Sequence, residues 1–79
     1  MHCVYILKLN NGSFYTGLTD GLNQRLKDHD QGKCITTRKK LPVKIIWYSA
    51  FKDRKTAAAF EKYLKSGSGI AFRNKHLLP

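Results

Sequence analysis

Seventy-nine residues carry fifteen Lys and Arg against five Asp and Glu, a formal charge of +10. A chain of this length buries only about 60% of the surface its unfolded form exposes, which excludes a second domain or a large inserted module, so positions 1–79 read as a single domain. The charge excess points to a polyanionic partner, nucleic acid first, because phosphate neutralisation dominates such binding, and no stretch has the length of a membrane span or the pattern of a membrane-surface helix.

In chain order, His2 to Leu9 is rich in Val, Ile, Leu and Tyr and predicts a strand. Asn10-Asn11-Gly12 is a hairpin turn, and Ser13 to Thr19 predicts the returning strand. Asp20 is placed to cap a helix from about Leu22 to Gln31, which Gly32 ends. Lys33 to Leu41 reads as a polar, basic loop, and Pro42 leads into a third strand, Val43 to Ala50. Asp53 caps a second helix from Arg54 to about Lys65. Ser66-Gly67-Ser68-Gly69 breaks that helix, and a last one runs from about Ile70 to Leu77. The order ββαβαα predicts a small α+β domain with a three-stranded, mainly antiparallel sheet flanked by helices.

The cysteines, Cys3 and Cys34, make neither a disulfide framework nor a CxxC pair. A zinc set of Cys3, His29, Cys34 and His76 matches no ligand spacing typical of zinc. Met1 to Leu9 is too short for a leader and is interrupted by His2 and Lys8. The chain reads as intracellular and cytoplasmic, and its charge also suits association with the nucleoid.

Each of the three helices carries polar groups on a face that should be buried. Leu22 and Leu26 mark the inner stripe of the first helix, at about 100° per residue. His29 falls on that stripe and Arg25 at its edge, four residues apart and therefore neighbours. In the second helix Ala57, Phe60 and Leu64 mark the stripe, and Glu61, the only glutamate, falls on the same arc. A buried carboxylate needs a cation: Arg25, a lysine or a metal ion. In the last helix Asn74 shares an arc with Ile70 and Leu77. Each has a structural reading beside the functional one: a rim Arg and a hydrogen-bonded core His, which taken singly are favoured, a buried Glu–Arg pair, which ranks behind metal or catalytic use, and an amide capping a neighbour's backbone, which ranks level with it. The other acids, Asp20, Asp28, Asp30 and Asp53, read as caps or solvated surface, so the carboxylate cluster of a two-metal site is missing.

The hairpin decides how two tyrosines relate. A two-residue Asn11-Gly12 loop would put Tyr5 and Tyr15 on opposite faces. A three-residue loop with Gly12 in a left-handed bulge pairs Leu9 with Ser13, Leu7 with Tyr15 and Tyr5 with Gly17, and puts both phenols on one face. The second register is the one expected. Gly17 opposite Tyr5 would then leave open space for a phosphate.

These residues together resemble the GIY-YIG nuclease domain in its small stand-alone bacterial form, similar to the amino-terminal module of an excision-repair nuclease. Cys3-Val4-Tyr5 matches the GIY triplet and Tyr15-Thr16-Gly17 the YIG triplet, with Cys3 in place of Gly and Thr16 in place of Ile. Arg25 and His29 match the family's Arg-x-x-x-His, Glu61 its metal-binding Glu, and Asn74 falls near its later Asn. Leu64 to Asn74, LKSGSGIAFRN, looks like the stand-alone subfamily. The resemblance implies a DNA endonuclease, with a role in DNA repair, that uses one Mg²⁺ (or Mn²⁺) on Glu61. Tyr5 would be general base, its pKa lowered by Arg25 and the metal; Tyr15 and His29 would position the phosphate or assist proton transfer. Arg25 would stabilise the transition state, with Gly17, Lys33, Arg38, Lys39, Lys40 and Asn74 touching the nucleic acid. A protein partner could supply substrate targeting. The rival readings are a nucleic-acid-binding module of the same fold that does not cut, and a basic adaptor for an acidic protein.

Overall fold

The computed structural model describes residues 1–78. Three strands, β1 (His2–Lys8), β2 (Phe14–Thr19) and β3 (Lys44–Phe51), and three helices, α1 (Leu22–Asp30), α2 (Arg54–Leu64) and α3 (Gly67–His76), follow the order ββαβαα. The sheet is antiparallel throughout, with β1 central in the order β2-β1-β3.

The hairpin adopts the three-residue loop. Gly12 takes φ +84°, a left-handed conformation that glycine tolerates without strain. Leu9 donates to Ser13 across 2.8 Å, and Gly12 donates to Leu9 across 3.0 Å. The Asn11 side-chain oxygen accepts from the Ser13 amide at 3.0 Å. Leu7 therefore pairs with Tyr15 and Tyr5 with Gly17.

Strand alternation divides the sheet into two chemically different faces. Val4 and Ile6 pack with Ala57 and Leu64 under α2, joined by Phe14, Phe60, Phe72 and Leu77. Tyr5, Leu7 and Leu9 point the other way, packed with Tyr15, Leu22 and Leu26. The register of β3 against β1 slips between Ile6, which faces Trp47, and Leu7, which faces Ile45. Ile46 is the extra residue. The bulge lets Ile46 and Trp47 join the α2 face while Val43 and Ile45 serve the phenol face.

Asp53 caps α2 as expected, accepting from the Lys55 and Thr56 amides. Three local expectations are corrected. Asp20 does not cap α1: Gly21 holds that position without a side-chain bond. Asp20 instead binds His2 at 2.6 Å and Arg54 at 2.8 Å, tying the start of β1 to the start of α2. The glycine-serine run does not delay α3. Ser66 accepts from the Gly69 amide at 3.1 Å and starts the helix at Gly67, because an N-cap hydroxyl offsets weak helix formers in the first turn. The basic loop is also ordered, with a 3₁₀ turn over Arg38–Lys40.

Candidate active site

The phenol face gathers Tyr5, Tyr15, Arg25 and His29. Tyr5 and His29 have no solvent exposure at all. The Tyr5 hydroxyl meets His29 Nε2 at 3.0 Å. On the far side of the ring, His29 Nδ1 meets Thr37 Oγ1 at 2.8 Å. The three aromatic rings contact one another, with Tyr15 edge-on to His29 at 5.3 Å between centroids and 6.3 Å from Tyr5. Arg25 and Tyr15 are half-buried and form the outer part of the cluster. The Arg25 guanidinium neighbours both phenols, while the hydrogen bond that the Tyr5 hydroxyl makes is to His29. The i, i+4 spacing of Arg25 and His29 and the hairpin register are what bring these four together.

Two expectations about Tyr5 are corrected by its burial. The space beside Gly17 is not open: the Tyr5 ring fills it, and a Cβ at Gly17 would collide with the phenol ring and its hydroxyl. Gly17 is itself buried and makes room for Tyr5 rather than for a phosphate. The phenol is also not readied as a base. Burial outweighs the opposing pull of Arg25 and pushes its pKa from 10.0 up to about 12. With its hydroxyl shielded from solvent, Tyr5 does not present itself to an attacking water. The phenol at the surface is Tyr15.

His29 is held below its ordinary value of 6.5, by burial first and then by the Arg25 charge, with Asp28 and Asp30 pulling the other way. These shifts make the cluster a stability sensor at both ends of the pH scale. The unfolded chain protonates His29 more readily than the folded one, so the stability contributed by neutral His29 is complete above pH 6.5 and is lost as pH falls below it. For Tyr5 the folded state holds the proton more tightly. Its contribution is complete below pH 10.0 and is lost as pH rises toward about 12. Urea unfolding at graded pH should show both limbs; His29→Gln should remove the one just below pH 6.5, and Tyr5→Phe the alkaline one.

Cys34 and Thr37 also sit at the cluster. Burial pushes the Cys34 thiol up, but contacts from Thr37, the Thr36 and Thr37 amides and the Arg25 charge more than offset it, leaving the thiol below its usual value. Thr37 is fully buried, and sequence reasoning missed it. It lies in a polar stretch with no periodicity to give it a face; the one available signal was a pair of threonines, Thr36 and Thr37, opening a run of cations.

Other expected site residues lie elsewhere. Glu61 is on α2, which packs on the opposite face of the sheet from the phenols. Its side chain is 23% exposed rather than fully buried, and it pairs with Lys65 at 3.2 Å. Lysine is thus its partner, and among the described residues no hydrogen bond or ion pair joins it to Arg25 or the phenols. Asn74 is exposed on α3, and its side-chain oxygen accepts from Arg73 at 3.2 and 3.3 Å. It is not part of the cluster. Lys33, Arg38 and Lys39 are exposed and Lys40 half-buried, and among the described residues none of the four is ion-paired. The turn that carries three of them is anchored at both ends: Thr37 binds His29, and Asn10 binds the Lys40 and Leu41 carbonyls at 2.8 and 3.0 Å.

Among the described residues no three His, Cys, Asp or Glu side chains converge as a metal cage, which sets aside the zinc set. Glu61 is a hard oxygen donor with access to water. That chemistry fits Mg²⁺, which keeps several waters and accepts one or two carboxylates plus substrate oxygens. No helix of the described residues is long and apolar enough to cross a membrane.

The comparisons with known proteins agree with this architecture. A family model described as the GIY-YIG catalytic domain matches residues 1–73. A UPF0213 protein of Bacillus cereus is 35% identical over 65 residues, covering 81% of this chain and 68% of that protein. One from Clostridium perfringens is 39% identical over 66 residues, with 82% and 71% covered. A viral UPF0213 protein, from Orgyia pseudotsugata multicapsid polyhedrosis virus, is 39% identical over 74 residues, with 90% and 70% covered. The solution NMR structure of a UPF0213 protein from Bacillus halodurans superposes with a TM-score of 0.60 at 32% identity, covering 94% of this chain and 82% of that one.

Proposed function

The chain belongs to the GIY-YIG catalytic-domain family, and from that premise we propose that it is an endonuclease that hydrolyses phosphodiester bonds of DNA with the help of one divalent cation, Mg²⁺ or Mn²⁺. The observation that carries this reading is the guanidinium of Arg25 beside two phenols and a buried imidazole, next to a turn of cations free of ion pairs among the described residues. Such a set can receive a phosphate and neutralise the charge that grows on it.

Each residue has one task in this reading. Lys33, Arg38, Lys39 and Lys40 grip backbone phosphates on either side of the scissile one. Arg25 donates to its non-bridging oxygens, and those bonds strengthen as negative charge builds in the transition state. Tyr15, the phenol within reach of solvent, holds the attacking water and takes its proton. Tyr5 and His29 lie behind and aim the guanidinium. Glu61 would hold the cation through its carboxylate, displacing Lys65, from the α2 side of the sheet, so a substrate must wrap the sheet edge for that ion to reach the phosphate at Arg25; there it would supply Lewis-acid polarisation and stabilise the departing oxygen.

A cleavage assay on plasmid and branched DNA, with Mg²⁺ and with EDTA, tests the proposal. The wild-type protein should cut with Mg²⁺ and stop with EDTA. Glu61→Gln and Tyr15→Phe should fold and bind DNA yet lose cleavage by about a hundredfold or more. Folding should change little in Glu61→Gln, because a partly exposed i, i+4 pair contributes only about 0.3–0.5 kcal/mol. Binding without cutting under every divalent ion would leave the non-catalytic module as the better reading. Cutting that survives Glu61→Gln would remove that residue as the cation's ligand.

A further inference from the structure

We propose that Thr37 is a positioning residue: its hydroxyl fixes His29 as the tautomer with hydrogen on Nδ1, and so sets the direction of the hydrogen bond between His29 and Tyr5, the buried phenol beside Arg25. The hydrogen-bonded series runs Thr37, His29, Tyr5, through contacts of 2.8 Å at Nδ1 and 3.0 Å at Nε2. The inference rests on the nuclease reading for its catalytic consequence alone; the tautomer itself is independent of it.

The direction follows from what each group can donate. The charged neighbour of Tyr5 is Arg25, and a guanidinium has donors and no acceptor, so it offers the Tyr5 O–H nothing to donate to. Tyr5 is wholly buried, so its own O–H needs an acceptor inside the protein, and leaving it without one is costly. His29 Nε2 is the hydrogen-bond partner in reach. The Tyr5 O–H therefore donates to Nε2, which must carry a lone pair. In a neutral ring the hydrogen then sits on Nδ1 and donates to Thr37 Oγ1, while the equally buried Thr37 hydrogen has the Cys34 sulfur beside it as an acceptor. The opposite tautomer would put an Nε2–H against the Tyr5 oxygen and leave the buried phenolic hydrogen facing only the donors of Arg25. Arg25, Asp28 and Asp30 are the charged groups felt by the ring, and Tyr5, Tyr15 and Thr37 pack against it or bond to it. Of these, only Thr37 contacts Nδ1 through a hydrogen bond.

Thr37 also immediately precedes the 3₁₀ turn of Arg38–Lys40. One hydroxyl thus joins the segment that carries the phosphate-gripping cations to the ring that orders the phenols.

The test is the ¹⁵N spectrum of the His29 ring at neutral pH in uniformly labelled protein, with Thr37→Val and Thr37→Ser beside the wild type. The wild type and Thr37→Ser should show hydrogen on Nδ1. Thr37→Val, which keeps the shape and loses the hydroxyl, should move the ring toward the Nε2–H form. In the cleavage assay Thr37→Val should lower kcat by about tenfold to a hundredfold with KM little changed, as for other partners that orient a functional histidine, and Thr37→Ser should restore it. A wild-type ring with hydrogen on Nε2 would overturn the proposal without any variant needing to fold. So would a folded Thr37→Val whose ring keeps the wild-type form. Normal tautomers with no cleavage in any protein would instead count against the nuclease reading and leave the Thr37 assignment standing.

Discussion

Arg25→Ala should reduce phosphodiester cleavage by about 10² to 10³-fold while the domain still folds and still binds DNA. The magnitude is that of removing one preorganised donor from a site where negative charge develops. Binding should survive because four other cations, Lys33, Arg38, Lys39 and Lys40, remain in the adjoining segment, free of ion pairs among the described residues. Folding should survive because Arg25 sits at the rim, half-buried, while the neighbouring apolar packing is made by Leu22 and Leu26. Arg25→Lys should recover little. A lysine keeps the charge but lacks the planar fork that can serve two phenols and a phosphate together. A second readout separates loss of chemistry from general damage. Arg25 is one of the causes that depress the His29 pKa, so its removal should let the imidazole titrate at higher pH, visible in an NMR titration of the ring protons. Full activity in Arg25→Ala would remove the guanidinium from the mechanism.

Gly17→Ala is the other large effect, and it acts through packing. The backbone of Gly17 needs no left-handed conformation; the constraint is the ring across the strand pair. An added Cβ would overlap the phenol of Tyr5, which cannot retreat without breaking its bond to His29. Overpacking of this kind costs about 1–3 kcal/mol, and the displaced hydroxyl should cut cleavage sharply in whatever fraction remains folded. Gly67→Ala is the control. It has open space where the Cβ would go and lies in the first turn of α3, so it should be neutral or stabilising by about 0.4–1 kcal/mol. Urea midpoints for the two variants, with cleavage measured beside them, make the comparison. Equal stability of the two would mean that the ring is less tightly held than its burial implies.

What the sequence disclosed was set by local rules. Asn11-Gly12 carries turn chemistry, and the three-residue loop it forms fixed which tyrosine faces which residue. The spacing of Arg25 and His29 fixed their shared side of α1, and Asp53 three residues ahead of Thr56 announced a cap. What it hid depended on distance through space. A tyrosine in a strand has the same letter whether it lines a groove or lies sealed, so neither the burial of Tyr5 nor the rise of its pKa was legible. The periodicity of α2 correctly placed Glu61 next to the packed stripe but could not say which side of the sheet that stripe would cover. Asp20 looked like a cap because it precedes a helix, and the His2 and Arg54 side chains that claim it come from the start of β1 and the start of α2, 18 and 34 residues away. Thr37 had no pattern to reveal it at all.

The central strand has a consequence for how such a site can move. β1 is hydrogen-bonded on both edges and has Val4, Tyr5, Ile6 and Leu7 sealed in succession. Its amides cannot open one at a time; they are released when the whole sheet parts. The inner phenol on this strand is therefore as fixed as the domain itself, while α1 and the segment that follows it are tied to it on that side by the bonds of His29 to Tyr5 and Thr37. Evolution or an engineer could loosen those ties without touching the strand that anchors them, but could not soften the anchor without unmaking the protein.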